Sequence, residues 1–514
     1  NLGLKERYDF QQWIIKDLKE KNGYIQRDAA QYDSRLAMDV ELLWDFLMET
    51  QEETMDYLLK KLSKETIINL INTEIVKGGF LFALKEGVFI ENKQLRLLYR
   101  KPATSFNEKA LQQYQANRLS VIEEVVYEED DRIDLVIFIN GLALFAIELK
   151  FNPNGQSVQD AIKQLKGRNP KNRLFRFEQG VLASFAVDTL EVYMTTQLKG
   201  QETYFLPFNM GKGEGIETGS GNPHNPDGVD TEYLWLDVLT MDSILQLVES
   251  FIFYEVDKSN SKKKTLIFPR YHQRRAVSRL LEDMKTNHTD NNYLIQHSAG
   301  SGKTNTIAWL AHSLVSLHDD QNRNIVDTVL IVTDRIVVDR QLQDAVRQIN
   351  HKNGVVKVMG DRETSSDLAD AIAGNTKIIA TTIHKFAQIN QSDWMSVGNT
   401  ANKKFAILID EAHSSTTGSY MSSVSQVLTE TDPENGTIDE VQEVTVADAI
   451  EQEIARTGKQ DNVSIIAFTA TPKATTLQLF GSTQPDGSKA PFDVYSMKQA
   501  INEGFILDVL NNYT

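Results

Sequence analysis

One short segment, Gly300-Ser301-Gly302-Lys303-Thr304, limits the possible folds more than any other: it follows an apolar run at 293–295 and opens a helical pattern at 304–314. Glycines in such a turn let backbone N–H groups close around phosphate oxygens at a helix N-terminus. The turn therefore requires strand, loop and helix in that order, one unit of a parallel sheet wrapped by helices. The C-terminal half repeats this alternation, with apolar runs at 329–332, 378–380, 405–409 and 465–468 separated by helical stretches. Asp410-Glu411-Ala412-His413 directly follows the run 405–409. With both turns at one sheet edge, Lys303 meets the β and γ phosphates of ATP and Thr304 and Asp410 hold Mg2+, while Glu411 orients the attacking water. His297 stands where the full phosphate-loop pattern has a glycine, so the motif rests on Gly300 and Gly302 together with the acidic partner.

Further segments fit the same sheet edge. Thr333-Asp334-Arg335, Thr381-Thr382-Ile383-His384 and Thr469-Ala470-Thr471-Pro472 each follow an apolar run. They put donors where a nucleic-acid backbone would pass, which makes Thr382 and His384 candidate DNA contacts. The alternative is that such threonines cap the helices that follow. Arg270, Tyr271 and Gln273, upstream of the loop, suit adenine recognition.

The N-terminal half follows a different pattern. Residues 5–75 have helical periodicity, with Trp13, Ile14, Leu18, Leu42, Leu43, Phe46 and Leu47 three and four apart. A β-branched run at 133–139, then Asn140-Gly141, then an apolar run at 142–149 predicts a hairpin. Glu148 and Lys150 share one face of its second strand, with Asp134 on the first. Two carboxylates able to bind Mg2+ beside a lysine able to polarise water are the minimum for phosphodiester hydrolysis. Their apolar neighbours imply a buried sheet, where unpaired charge is costly. A strict two-residue turn would pair Asp134 with Ile147 and turn it away from Glu148, so a three-residue loop with a bulge at Gly141, or a kink near Asp134, is predicted. Lys163, Lys166, Arg168, Lys171, Arg173 and Arg176 fall in a run without acids. Lys163, Lys166 and Arg168 are its expected DNA contacts.

The formal charge of −17 argues against a protein that coats nucleic acid over its whole surface. Without cysteine there is no disulfide framework and no thiolate-ligated metal. No apolar run reaches the length of a membrane span, so no membrane association and a cytoplasmic setting are expected. The organisation read from these patterns is a nuclease domain at 1–256, a polar linker at 257–264 and a motor lobe at 265–514. Residues 211–230 form an irregular excursion, and 233–254 an amphipathic helical stretch. Residues 430–453, with nine carboxylates and no Lys or Arg, are expected to be an exposed insertion.

These residues resemble the restriction (HsdR) subunit of type I restriction-modification enzymes. The resemblance rests on Asp134, Glu148 and Lys150 with Gln164 downstream, on Arg270-Tyr271-His272-Gln273, on 296–304, on 332–335, on 410–413 and on 469–472. Residues 205–209 and 495–500 are also similar to that family. The fold implied is α/β: an N-terminal PD-(D/E)xK nuclease domain of α+β type with a mixed sheet, followed by a RecA-like parallel-sheet P-loop domain of the superfamily-two helicase type. The resemblance implies ATP-dependent movement on duplex DNA and Mg2+-dependent cutting, with methyltransferase and specificity subunits as partners and S-adenosylmethionine used only by those partners. It gives Gln164 an accessory catalytic role and sets Glu6 near the metal. Many such nucleases carry Tyr four residues after that Gln, where this chain has Arg168. A type III restriction subunit is the alternative, but its nuclease follows its motor; a docking or DNA-binding piece is another. Because the chain stops at Thr514, before a second motor lobe with its arginine finger, weak ATP binding and little hydrolysis are expected of these residues alone.

Overall fold

At the tip of the predicted hairpin, Asn140 and Gly141 both have positive φ, 49° and 80°, the conformation that a two-residue turn between twisted antiparallel strands demands. The computed structural model describes residues 7–103, 106–333, 338, 340–349, 355–388, 403–410 and 461–506. Chain contacts divide it into two units, Asn1–Lys212 with Ser220–Tyr271, and Gly213–Gly219 with His272–Thr514.

The first unit is built on a mixed sheet. Helix α1 (Arg7–Asn22) leads into β1 (Ile25–Arg27); the sheet continues through β2 (Leu119–Glu128), β3 (Asp131–Ile139) and β4 (Leu142–Leu149). Helix α2 (Val158–Lys166) then leads to β5 (Ala183–Val187), β6 (Val192–Thr195) and β7 (Leu206–Pro207), and the strands lie side by side in chain order. Pairs β1/β2 and β4/β5 are parallel and the other neighbours antiparallel. A parallel step needs a crossover, which α2 supplies between β4 and β5. A capping box of Ser157 and Asp160 starts α2, and Val158, Ala161, Ile162 and Leu165 form its buried face. They join Val136, Phe138, Ala146 and Ala186 of the sheet in one cluster. Each large aliphatic side chain buried this way contributes roughly 1.5–3 kcal/mol.

The hairpin corrects one expectation in detail. Ile139 pairs with Leu142, so the turn is a plain two-residue one with no bulge at Gly141. Phe138 pairs with Ala143 but Ile137 with Phe145, which leaves Leu144 as an extra residue in β4. The turn has no room for an insertion. A Cβ on Gly141 would come within 2.4 Å of the Asp39 carbonyl oxygen. Asn140 is locked as well, accepting from the Arg118 amide at 2.7 Å and donating to the Leu97 carbonyl at 2.9 Å. The strand interior absorbs the register change instead.

The segment expected as a linker, 257–264, connects and begins an antiparallel hairpin in which Phe253 pairs with Ile267 and Val256 with Lys264. The amphipathic stretch before it is not one helix. It breaks once, at Leu239–Thr240, between Leu234–Val238 and the segment Met241–Gln246 that the Thr240 cap starts, and that segment runs on directly as the wider-turned Leu247–Phe251. Among the described residues no single helix is long and apolar enough to cross a membrane.

The second unit is a seven-stranded sheet, parallel throughout. Helix α3 (Tyr271–Asn287) precedes β8 (Tyr293–His297) and α4 (Lys303–Val315) follows it. The remaining strands are β9 (Thr328–Thr333), β10 (Val356–Val358), β11 (Ile378–Thr382), β12 (Phe405–Asp410), β13 (Val463–Thr469) and β14 (Asp493–Tyr495). Their order is β10-β11-β9-β12-β13-β8-β14, a doubly wound α/β arrangement of RecA-like type. Glu6, Asp334, Arg335, Glu411, Ala412, His413 and residues 430–453 lie outside the described residues, as does the side chain of His384.

Candidate nuclease and nucleotide sites

Beyond the Leu144 bulge the hairpin pairs Val136 with Ala146 and Leu135 with Ile147. The next step sets Asp134 opposite Glu148, on the same face of neighbouring strands. Asp134 is 4 % exposed and Glu148 fully buried, and Asp134 Oδ2 accepts from the Leu149 amide at 2.8 Å. Lys150, half-buried just past the end of β4, donates its backbone N–H to the Val187 carbonyl at 2.9 Å. The sheet thus brings Asp134, Glu148 and Lys150 together. Two carboxylates are hard oxygen donors, and Mg2+ held by one or two of them takes its remaining ligands from water and phosphate. Among the described residues no cluster of three or more His, Asp or Glu is arranged to hold a metal.

Arg168 is not where a DNA contact should be. It is 7 % exposed, and its Nη2 donates to Glu148 Oε1 at 2.6 Å while Nη1 bonds Asp131. Its guanidinium lies 5.8 Å from the centre of the Tyr127 ring, and burial lowers its pKa from the ordinary arginine value. Burial also pushes the Tyr127 hydroxyl up to about 12 against the pull of Arg168. The charge that reads as a basic patch in sequence is turned inward, because a buried carboxylate needs a cation. Arg173 is likewise spent inside the unit, donating to the Gln179 carbonyl at 2.6 Å, and burial lowers it to about 10. Lys163 stays exposed and Lys166 half-buried. Gln164 is half-buried, its Oε1 enclosed and without a hydrogen-bond partner among the described residues.

In the second unit Gly300 and Gly302 have φ of 79° and 77°. A Cβ on Gly300 would press on the Phe505 carbonyl oxygen at 3.0 Å, so glycine is required there by both space and conformation. Helix α4 starts at Lys303 with no side-chain cap, so its first amides remain available to an anion. Lys303 and Thr304 are half-buried in this first turn. Asp410 ends β12, paired in register with Thr333 and Phe468, and one strand, β13, separates β12 from β8. All strands being parallel, Asp410 and the loop share the C-terminal edge of the sheet.

Gln273 donates to the Gly302 carbonyl at 2.9 Å, and His272 Nε2 bonds the Ser301 carbonyl at 2.7 Å. Gln273 therefore braces the loop. Arg270 is half-buried and belongs to the first unit. Thr382 is 1 % exposed and its hydroxyl accepts from the Lys385 amide at 3.4 Å, so the helix-capping alternative describes it better than DNA contact.

The sequence reading missed the residues behind the loop. His297 is fully buried and donates from Nε2 to Asp493 Oδ2 at 2.7 Å; burial lowers its pKa, which keeps it neutral. Asp493 also takes Arg275 Nε at 2.8 Å and Arg279 Nη1 at 3.3 Å. Burial pushes the Asp493 carboxyl up, but Arg275 and His297 outweigh it and hold the group at about 2. His272 stacks on Tyr495 at 3.7 Å, and the Tyr495 hydroxyl donates to Glu503 at 2.7 Å. The segment 495–500, conspicuous in sequence but without a chemical role there, thus backs the phosphate loop. The available signal was His297 itself: a polar residue in a glycine position at a buried strand end must have a partner. Its partner lies far along the chain, where no local pattern points to it.

The family described as SWI2/SNF2 ATPase matches residues 272–513, and the one described as Type I restriction enzyme R protein N terminus matches 11–203. A Methanocaldococcus jannaschii protein named as a type I restriction enzyme endonuclease subunit is 25% identical over 434 residues, covering 80% of this chain and 39% of that protein. A Staphylococcus aureus (strain COL) type I restriction enzyme endonuclease subunit is 26% identical over 318 residues, covering 59% of this chain and 30% of its own length. The chain thus spans about two fifths or less of these relatives. A solved fragment titled as an HsdR subunit from Vibrio vulnificus YJ016 covers 73% of this chain and 52% of its own at 15% identity, with a TM-score of 0.27 too low to carry an argument.

Proposed function

Since the chain belongs to the HsdR type of type I restriction enzyme subunit, we propose that it serves the motor and nuclease roles of such a complex: ATP-dependent movement of duplex DNA and Mg2+-dependent cutting. The observation that carries this reading is the joining, in one chain, of the Asp134–Glu148 pair with its adjacent Lys150 to a glycine loop that shares a sheet edge with Asp410.

In the nuclease unit Asp134 and Glu148 would hold Mg2+, which when bound supplies Lewis-acid stabilisation of the scissile phosphate. Lys150 holds a positive charge beside the phosphate as negative charge develops on it, and Gln164 orients the attacking water or a phosphate oxygen. Lys163 and Lys166 meet the DNA backbone. In the motor unit the amides after Gly300 and Gly302 bind the phosphates, Lys303 neutralises their charge, and Thr304 and Asp410 would hold Mg2+. Glu411 orients the water, His272 keeps the loop in shape, and Gln273 both braces the loop and contacts the base. His384 is the DNA-backbone contact assigned to this unit. Methyltransferase and specificity subunits read the sequence, which fits the acidic charge of this chain. The setting is the cytoplasm.

The test is reconstitution of the full-length subunit with methyltransferase and specificity subunits on circular DNA bearing the recognition site. Cleavage that requires both ATP and Mg2+ is expected. Cleavage at full rate without ATP would remove the motor from the reading.

A further inference from the structure

We propose that Arg168 is a resident counter-cation of the nuclease site: it neutralises Glu148 when no metal is present, and yields Glu148 to a divalent cation by swinging onto Asp131. The proposal rests on the assignment of Asp134 and Glu148 as metal ligands.

Glu148 is fully buried in the middle of the sheet, where an ionised carboxylate requires a cation close by. Arg168 meets that need from a fixed base. It follows α2, and its backbone amide donates to the Leu165 carbonyl at 3.1 Å. Its two terminal nitrogens go to different carboxylates, Nη2 to Glu148 and Nη1 to Asp131. The second seat differs from the first: the Asp131 side chain is 34 % exposed, at the turn between β2 and β3, whereas that of Glu148 is not exposed at all. A hard divalent ion such as Mg2+ or Mn2+ on Asp134 and Glu148 would put like charge within a few ångströms of the guanidinium. Releasing one arm of the fork while the other stays on Asp131 relieves that repulsion without leaving Arg168 buried and unpaired. The Tyr127 ring lies beside this path, 5.8 Å from the guanidinium carbon, and its hydroxyl already bonds Asp131.

Two substitutions then have opposite effects on metal affinity. Arg168→Gln removes the competitor and should tighten Mn2+ binding at least about tenfold, the size of effect expected for losing a like charge at this range. It should also lower the Tm of the metal-free protein more than that of the Mn2+-loaded one. Asp131→Asn removes the alternative seat and should weaken Mn2+ binding. Both are read by calorimetric Mn2+ titration of the full chain without nucleotide, with thermal unfolding alongside. Unchanged or weaker binding by Arg168→Gln would overturn the proposal, as would unchanged or tighter binding by Asp131→Asn. If Arg168→Gln does not fold, Asp131→Asn, at a half-exposed turn, decides alone. Glu148→Gln separates the two levels of the argument. If it binds Mn2+ as the unsubstituted chain does, the ligand assignment fails, whatever Arg168 does.

Discussion

Asp134 stands across the β3–β4 hairpin from Glu148 because β4 contains one residue more than β3 between the turn and this pair. That residue, Leu144, is fully buried. Deleting it would remove the bulge but leave Asp134 opposite Glu148, because the pairs Ile137–Phe145, Val136–Ala146 and Leu135–Ile147 would then continue the two-residue register directly from Phe138–Ala143. Retained Mn2+ binding is expected, together with a stability loss of about 2–5 kcal/mol from the missing core side chain. A deletion variant that folds but no longer binds Mn2+ would show that the bulge itself, and not the shared face alone, shapes the site.

The turn that forces the bulge inward is itself brittle. Gly141→Ala combines a φ of 80° with a Cβ only 2.4 Å from the Asp39 carbonyl oxygen. A loss of at least about 2 kcal/mol in urea unfolding is expected, from the left-handed backbone and the forced shift together. A change below about 0.5 kcal/mol would mean that the turn readily gives way.

Two lysines should separate the two chemistries in the reconstituted complex. Lys150→Ala removes the charge beside the scissile phosphate and should abolish cleavage while ATP hydrolysis continues. Lys303→Ala removes the charge on the β and γ phosphates and should abolish both, because the proposed function makes cutting depend on the motor. Loss of ATP hydrolysis in Lys150→Ala would contradict two separate sites.

Acid should loosen the unit that carries the phosphate loop in two stages. Buried His297 has its pKa lowered, so the unfolded chain binds a proton that the folded one refuses. Stability is therefore full above about pH 6.5 and begins to fall below it. Asp493 is held at about 2 against roughly 3.9 unfolded, so its contribution is present above about pH 4 and is lost as pH falls towards 2. That second stage amounts to about 2 kcal/mol. Asp493→Asn should be less stable at pH 7 and should lack the lower stage while keeping the upper one. Unfolding measured from pH 7 to pH 2 checks this; identical pH profiles would exclude Asp493 as the acid-sensitive group.

Much of the architecture was legible because it is written locally. The apolar runs that became β8, β9, β11, β12 and β13 were each marked by a short buried stretch and a turn, and parallel strands buried on both faces are read this way. The hairpin at Asn140-Gly141 was equally plain, since few dipeptides tolerate two positive φ values in succession. The break inside the helical stretch at 233–254 was not legible, because its apolar spacing continues through Leu239 and Thr240.

Composition and spacing by themselves determined which residue types stand at strand ends: Asp134, Glu148 and Lys150 on one hairpin, and Lys303, Thr304 and Asp410 on one sheet edge. Those are properties of short segments, fixed by backbone geometry within a few residues. Only the tertiary structure decided where the charges point. Arg168 reads as surface charge in a basic run, yet burial of Glu148 draws it inward. His297 reads as a defect in a glycine motif, yet Asp493 and Tyr495 from the far end of the chain, with Arg275 of the preceding helix, build its surroundings. The reason is electrostatic. A charge removed from water must find its partner in three dimensions, and that partner's place in the sequence is set by the fold as a whole.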